Sequence, residues 1–398
     1  MYGSSDAAAS CAMAGSGANS SKTREIRIRM VPPVRQDIGV FDRFAKSVRV
    51  GPLKILTLIP SSAFGCSMIR MAHPPHGAAQ ERKARDDMEI ILHLGAHRTA
   101  STGFQFYLRE NAQRLAATGI GFWGPWRTRD GLLTGVVPVP GRRPPGVQLD
   151  RAQGRIGLNL AELARDGIRQ LIVSDENMIG ACRRNLKINR LYPDVGERMA
   201  RFGAAFSGRV VRIVLSIRCH DSYWSSALAY SVGRGHHVPR HGELDRLATA
   251  NRHWRDVIAD IACALPAAEI VVVPYETFGS RPEVKLAMMT GLATPPRRHA
   301  REWVNRAPSL GQLRKILSDR GDDPACLPAQ EGRWMPFTRE QADCLREAYA
   351  DDLFWLRGGA DGLATFVEET GPVSAGKHPP AGQTKRGQPN GIEERRLA

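Results

Sequence analysis

The 398-residue chain lacks several features that would settle its class at once. It has no run near the roughly 18 continuous apolar residues that a membrane helix needs, so no membrane span is expected. Its seven cysteines (Cys11, Cys66, Cys182, Cys219, Cys263, Cys326 and Cys344) form no Cys-x-x-Cys pair and no Cys/His metal spacing. No metal centre is therefore expected, and free thiols fit a reducing, cytoplasmic setting. No internal repeat is present, which sets repeat architectures aside. Acidic residues are in deficit, 40 against 56 Lys and Arg, for a formal charge of +16. That excess is spread along the chain: +6 in residues 1–87, +3 in residues 372–398 and +7 in the 284 residues between. Such a mildly basic centre suits a small anionic ligand, and no specific nucleic-acid partner is expected.

What is present begins after residue 87. Residues 1–87 are Ala/Ser/Gly-rich and then Arg- and Pro-rich, without sustained periodicity. Their one apolar patch, Pro52–Pro60, carries Lys54 and lies far from the N-terminus for a signal region. The expectation is a disordered extension, or a region upstream of a start at Met88. Residues 372–398 are rich in Pro, Gly, Lys and Gln and are expected to be a disordered tail. Between them, residues 88–371 read as one α/β domain.

The pattern there alternates strands and helices. Strands are expected at Ile90–Leu94, Gln170–Ser174, Val210–Ile217 and Glu269–Val273. Their branched apolar runs without alternation suit parallel strands buried on both faces. Helices are expected at Thr102–Thr118, Leu158–Asp166, Asp194–Phe206, Asp221–Val232, Glu243–Cys263, Leu310–Ser318 and Thr338–Leu356, the last with a Thr338/Gln341 capping box. Residues 121–147, with Trp123, Trp126, Arg127, Arg129, Arg142 and Arg143, read as a long loop, either a binding element or a surface insertion. The expected fold is a three-layer α/β sandwich. Its central parallel sheet has about four to five strands with helices on both faces, in the manner of a P-loop NTPase.

The chemistry centres on Ile90–Gln105, IILHLGAHRTASTGFQ, which reads as strand, turn and helix start. Backbone N–H groups and a helix N-terminus in that layout cradle an anion. Against G-x-x-x-x-G-K-[ST], Gly95 and Thr102 match, while Ala100 and Ser101 stand in place of the second glycine and the lysine. The cation is Arg98, inside the loop. Gly95, Ala96, His97, Arg98, Thr99, Ala100, Ser101 and Thr102 are therefore expected to line a phosphate or sulfate site. Arg218 leaves a strand end, and Ser226 follows two helical turns later. Together they are expected to clasp a second anion, which suggests a nucleotide with phosphates at both ends of its ribose.

On these residues the chain resembles the bacterial sulfotransferases. His93–Gln105 is similar to their phosphosulfate loop, H-x-G-x-H-K-T-G-[ST]-T-x-x-Q, with Arg98 for lysine and Ala100 for glycine. Arg218–Ser226 resembles their 3′-phosphate motif, with His220 where a proline is common. Tyr275-Glu276 and Val304–Ser309 resemble two less specific signatures. The resemblance implies transfer of a sulfuryl group from 3′-phosphoadenosine 5′-phosphosulfate (PAPS) to a hydroxyl or amine of a small-molecule or carbohydrate acceptor, without metal. Arg98 would stabilise the 5′-phosphate leaving group, and Arg218 and Ser226 would hold the 3′-phosphate. Glu176, at a strand's carboxyl end, is the first candidate for general base and His97 the second. A P-loop nucleotide or phosphate kinase is the alternative that the missing lysine opposes. A non-catalytic nucleotide-binding protein that keeps the fold is another.

Overall fold

Branched apolar runs form the strands of a single sheet in the computed structural model, which describes residues 88–302 and 304–368. The strands are β1 (Glu89–His93), β2 (Ile120–Trp123), β3 (Gln170–Ser174), β4 (Val210–Ile217), β5 (Glu269–Pro274) and β6 (Thr365–Phe366). They lie in the order β2-β3-β1-β4-β5-β6, and every pairing is parallel. The expectations for residues 1–87 and 372–398 lie outside the described residues.

Alternation along each strand divides the core in two. Ile90, Leu92, Leu171, Val173, Ile213 and Leu215 pack into one apolar cluster with the helices Pro145–Arg165, Val195–Ala205, His220–Val232 and Trp254–Ala264. Ile91, Ile172, Val214, Val271 and Val273 point the other way, onto Phe104, Tyr107 and Leu108 of the helix Ser101–Glu110 and onto Leu286 and Met289 of Pro282–Thr290. Both faces of the sheet are thus covered by helices, the arrangement that a parallel sheet requires. No described helix is long and apolar enough to cross a membrane.

The sheet has six strands rather than four or five. The two extra strands are short edge strands that periodicity does not reveal. β2 contains Gly121 and lies at the start of the segment read as a loop. β6 is two residues paired with Val271 and Val272. The helix expected at Thr102–Thr118 is Ser101–Glu110 followed by Ala112–Ala116. Asn111 interrupts it, its Nδ2 donating to the carbonyls of Tyr107 (2.9 Å) and Arg298 (3.1 Å). The helix expected at Leu158–Asp166 begins earlier, at Pro145, where proline occupies the first turn. Glu243–Cys263 is also two helices, His241–Ala248 and Trp254–Ala264. The capping box at Thr338 and Gln341 is present.

The second break has an identifiable cause in Asp352, a buried residue of the helix Arg339–Arg357. Its carboxylate accepts from the backbone N–H of Trp254 (2.9 Å) and of Arg255 (3.1 Å), starting the new helix there. It also lies 3.0 Å from His220 Nε2. His220 stacks on Trp254 (ring centroids 5.8 Å), whose Nε1 donates to the carbonyl of Arg218 (2.8 Å). The histidine that replaces a proline after Arg218 is therefore a packing residue, tied to a distant helix. Asp352→Ala would orphan these donors and is expected to cost about 3 kcal/mol in urea unfolding. A loss below 0.5 kcal/mol would show that the capping contributes little.

Candidate functional site

In the order β2-β3-β1-β4-β5-β6 the chain leaves β1 toward one edge and β4 toward the other. Between their carboxyl ends the connections diverge and open a crevice, the place where open α/β sheets bind ligands. The loop after β1 lies there against β4. Leu94 N–H donates to the carbonyl of Val214 (3.0 Å) and Ala96 N–H to that of Ser216 (3.0 Å), while Ser216 N–H donates to Gly95 O (2.5 Å). Gly95 has φ +90°, and a Cβ there would stand 2.9 Å from Glu176 Cβ. Arg98 and Ala100 have φ +62° and +61°, so the loop passes twice through a region costly for residues with a Cβ.

A cavity of about 810 Å³ opens in front of this loop. Seven of the ten expected ligand residues line it: His97, Arg98, Ala100, Ser101, Thr102, Arg218 and Ser226. Gly95, Ala96 and Thr99 do not, and they frame the loop instead. The Gly95 carbonyl and Ala96 N–H are spent on Ser216, and the buried Thr99 hydroxyl donates to Ala96 O (2.8 Å). His97 N–H is also engaged, by Tyr192 Oη (3.0 Å). Ser101 and Thr102, at the start of the helix Ser101–Glu110, line the cavity, and the first turn of a helix has no intrahelical acceptor for its N–H groups.

The two anion clasps expected from the sequence are in contact. Arg98 Nε donates to Ser226 Oγ (3.1 Å), and Arg218 Nη1 donates to the carbonyl of Arg98 (2.7 Å). Each guanidinium lies on an aromatic ring, Arg98 on Tyr230 (4.7 Å) and Arg218 on Tyr275 (4.4 Å). Arg218 is 3% exposed, and its Nε and Nη2 find no acceptor among the described residues. Burial, and then the nearby Arg333, lower its pKa to about 10. Burial likewise lowers that of Arg98. A buried guanidinium without a carboxylate is costly unless an anion satisfies it. Comparison with protein-family models, curated proteins and solved structures returns no match to this chain. The site is therefore read from its own geometry.

The segment 304–309 folds over the loop. Asn305 O accepts from Arg98 Nη2 (3.3 Å), and its Nδ2 donates to Thr102 Oγ1 (3.3 Å). Arg333 and Trp334 complete the far wall. Arg333 and Trp334 carry no periodic signal, since they lie in an irregular stretch between two helices, and sequence reasoning passed over them. Glu276 stays out of the cavity. It ties the start of the helix His220–Val232 to Arg339–Arg357, accepting from Cys219 N–H (3.0 Å) and Tyr349 Oη (3.1 Å).

Both candidate bases stand at the site but are held by neighbours. Glu176 lines the cavity, and its carboxylate accepts from Gln105 Nε2 (2.9 Å) and Arg129 Nη2 (3.0 Å). Arg129 also forks onto Asp175 (2.6 and 3.1 Å). It comes from the segment read as a long loop, which makes that stretch a supporting wall of the site. His97 Nδ1 lies 2.9 Å from Tyr192 Oη. The Asn177 amide is best oriented with its N–H toward His97 Nε2 (3.1 Å) and its oxygen toward Arg129 (3.2 and 3.3 Å). Burial lowers the His97 pKa, with the charge of Glu176 acting in the opposite sense. A neutral imidazole with both nitrogens engaged is a weaker base candidate than the carboxylate.

Two substitutions test the loop's backbone in opposite directions. Gly95→Ala is expected to destabilise by about 2 kcal/mol through its φ and the contact with Glu176. Ala100→Gly should raise stability by about 0.5 kcal/mol, relief of the left-handed φ outweighing the added chain entropy. Calorimetric melting of the two variants checks both signs.

Proposed function

We propose that this chain is a PAPS-dependent sulfotransferase. The observation that carries the reading is the buried Arg218, two of whose nitrogens lack acceptors among the described residues, joined to the loop cation Arg98 through its carbonyl. Two arginines in contact at one cavity suit an anionic ligand, and a guanidinium grips phosphate or sulfate oxygens in two places. The resemblance of His93–Gln105 and Arg218–Ser226 to the two phosphate motifs of bacterial sulfotransferases points the same way.

In this reading the start of the helix Ser101–Glu110 and Arg98 hold the 5′-phosphosulfate, while Arg218 and Ser226 take the 3′-phosphate. The acceptor oxygen attacks sulfur in line as the bond from sulfur to the bridging oxygen breaks. The electron pair stays on the 5′-phosphate, where Arg98 offsets the growing charge. Glu176 takes the acceptor's proton, and Arg129 and Gln105 hold its carboxylate in position. A transferring sulfuryl carries less charge than a phosphoryl, so cations and N–H donors replace the Mg²⁺ of a kinase. One observation favours a second reading, binding without catalysis. Both candidate bases are engaged by neighbouring side chains.

Titration calorimetry separates these readings. 3′,5′-Bisphosphoadenosine is expected to bind without Mg²⁺, and Arg218→Met to weaken it about 100-fold, the worth of two charged hydrogen bonds. Binding of ATP with Mg²⁺ as tight or tighter would sink the proposal. With PAPS and a panel of hydroxyl and amine acceptors, Glu176→Gln should lower kcat at least about 100-fold while leaving bisphosphate affinity unchanged. Bisphosphate binding with no turnover on any acceptor would support the second reading.

A further inference from the structure

Behind the loop lies an ionisable group that the proposed transfer does not use. Lys285, on the helix Pro282–Thr290, is 1% exposed. Its Nζ donates to Ser216 Oγ (3.1 Å) and lies 5.2 Å from the centre of the Phe104 ring. Ser216 is the residue whose backbone pins the loop at Gly95 and Ala96. Phe104 belongs to the helix whose first turn faces the large cavity. Lys285 also borders a void of about 20 Å³, together with Ala100, Gly103 and Val304. Ala100 and Val304 line the large cavity as well, so the ammonium and the ligand space share a thin wall.

The groups around Lys285 leave its charge uncompensated. From β1, His93 is held neutral, its pKa lowered well below the usual value by burial and by Lys285, with Nδ1 2.7 Å from Ser174 Oγ. β4 contributes only the Ser216 hydroxyl, and the helix Ser101–Glu110 contributes Phe104. Glu302, at the void, is turned to His299 Nδ1 (2.5 Å). Glu283, on the same helix as Lys285, is forked by Arg301 (3.0 and 2.8 Å). Among the described residues no carboxylate pairs with Lys285. A buried ammonium, a helix N-terminus and the guanidinium groups of Arg98 and Arg218 thus converge on one loop. Negative charge in front of the loop would be favoured by each of these groups.

We propose that Lys285 is a positioning residue of the anion site, holding the loop through Ser216 and supplying a buried positive charge that strengthens binding of a phosphorylated ligand in the cavity. The inference rests on the anion-site reading above and adds that ligand and proton bind together. Burial lowers the Lys285 pKa to about 8, so the free protein loses this charge within an accessible pH range. A bound anion favours the ammonium and raises that pKa, so binding takes up a proton between about pH 7.5 and 9. Arg218, with its pKa lowered to about 10, stays charged across this window. The ligand's phosphates are already ionised there.

The test is calorimetry of the full chain with 3′,5′-bisphosphoadenosine at pH 7.5 and 9, in two buffers of different ionisation enthalpy. The wild-type protein should take up a fraction of a proton and bind about tenfold more weakly at pH 9. Lys285→Met should bind about tenfold more weakly at pH 7.5, with no further loss at pH 9 and no proton uptake. Its ligand-free melting temperature should not fall, because an unpaired buried charge is gone. Should that variant fail to fold, Lys285→Gln and the wild-type proton count decide. Wild-type binding without proton uptake, or the same pH dependence in the variant, overturns the role of Lys285 and leaves the anion site intact. Absence of wild-type binding to the bisphosphate, pyrophosphate or sulfate overturns the anion site itself, and the role of Lys285 with it.

Discussion

Among the described residues the buried charges of Arg218 and Lys285 form no ion pair with a carboxylate, and that is the constraint on which the site depends. Arg218 is enclosed at the end of β4, with one nitrogen on the Arg98 carbonyl and two without acceptors among the described residues. Lys285 lies behind the same loop with the Ser216 hydroxyl as its acceptor among the described residues. Groups of this kind cost stability, so the surrounding structure must hold them in place. That support comes from the two apolar layers over the sheet and from the rings of Tyr275 and Tyr230 under the guanidinium groups.

Rigidity of the loop follows from the same arrangement. Ser216 binds it at both Gly95 and Ala96, Thr99 closes it internally, and Tyr192 takes the N–H of His97. These contacts use up several of the loop's backbone donors. Ser101 and Thr102, at the first turn of Ser101–Glu110, line the cavity beside Arg98. Several of the loop's polar groups therefore hold its shape.

The acidic pair at the end of β3 is held by one arginine. Asp175 and Glu176 stand together at the end of β3, and Arg129 spans them. If Glu176 acts as a base, Arg129 and Gln105 fix the orientation of its carboxylate. This ion pair makes the transferase reading and the binding-only reading differ in one property, the ability of Glu176 to accept a proton in the presence of its partner.

Local pattern alone determined the alternation of strands and helices, the bounds of β3 and β4, the capping box at Thr338, and a strand, turn and helix start at Ile90–Gln105. Those features depend on neighbours in the chain, through side-chain period, capping and turn chemistry. Only the tertiary structure decided which of them meet. Arg98 touches Ser226 across 128 positions, and Asn305 reaches Thr102 across 203. Arg129 meets Glu176 from a stretch that reads as a loop, and Asp352 splits an expected helix from the far end of the domain. The short strands β2 and β6 exist because longer neighbours hold them, and Lys285 is a charge only its burial makes notable. Each of these contacts depends on long-range packing and solvent exclusion, which no window of sequence contains.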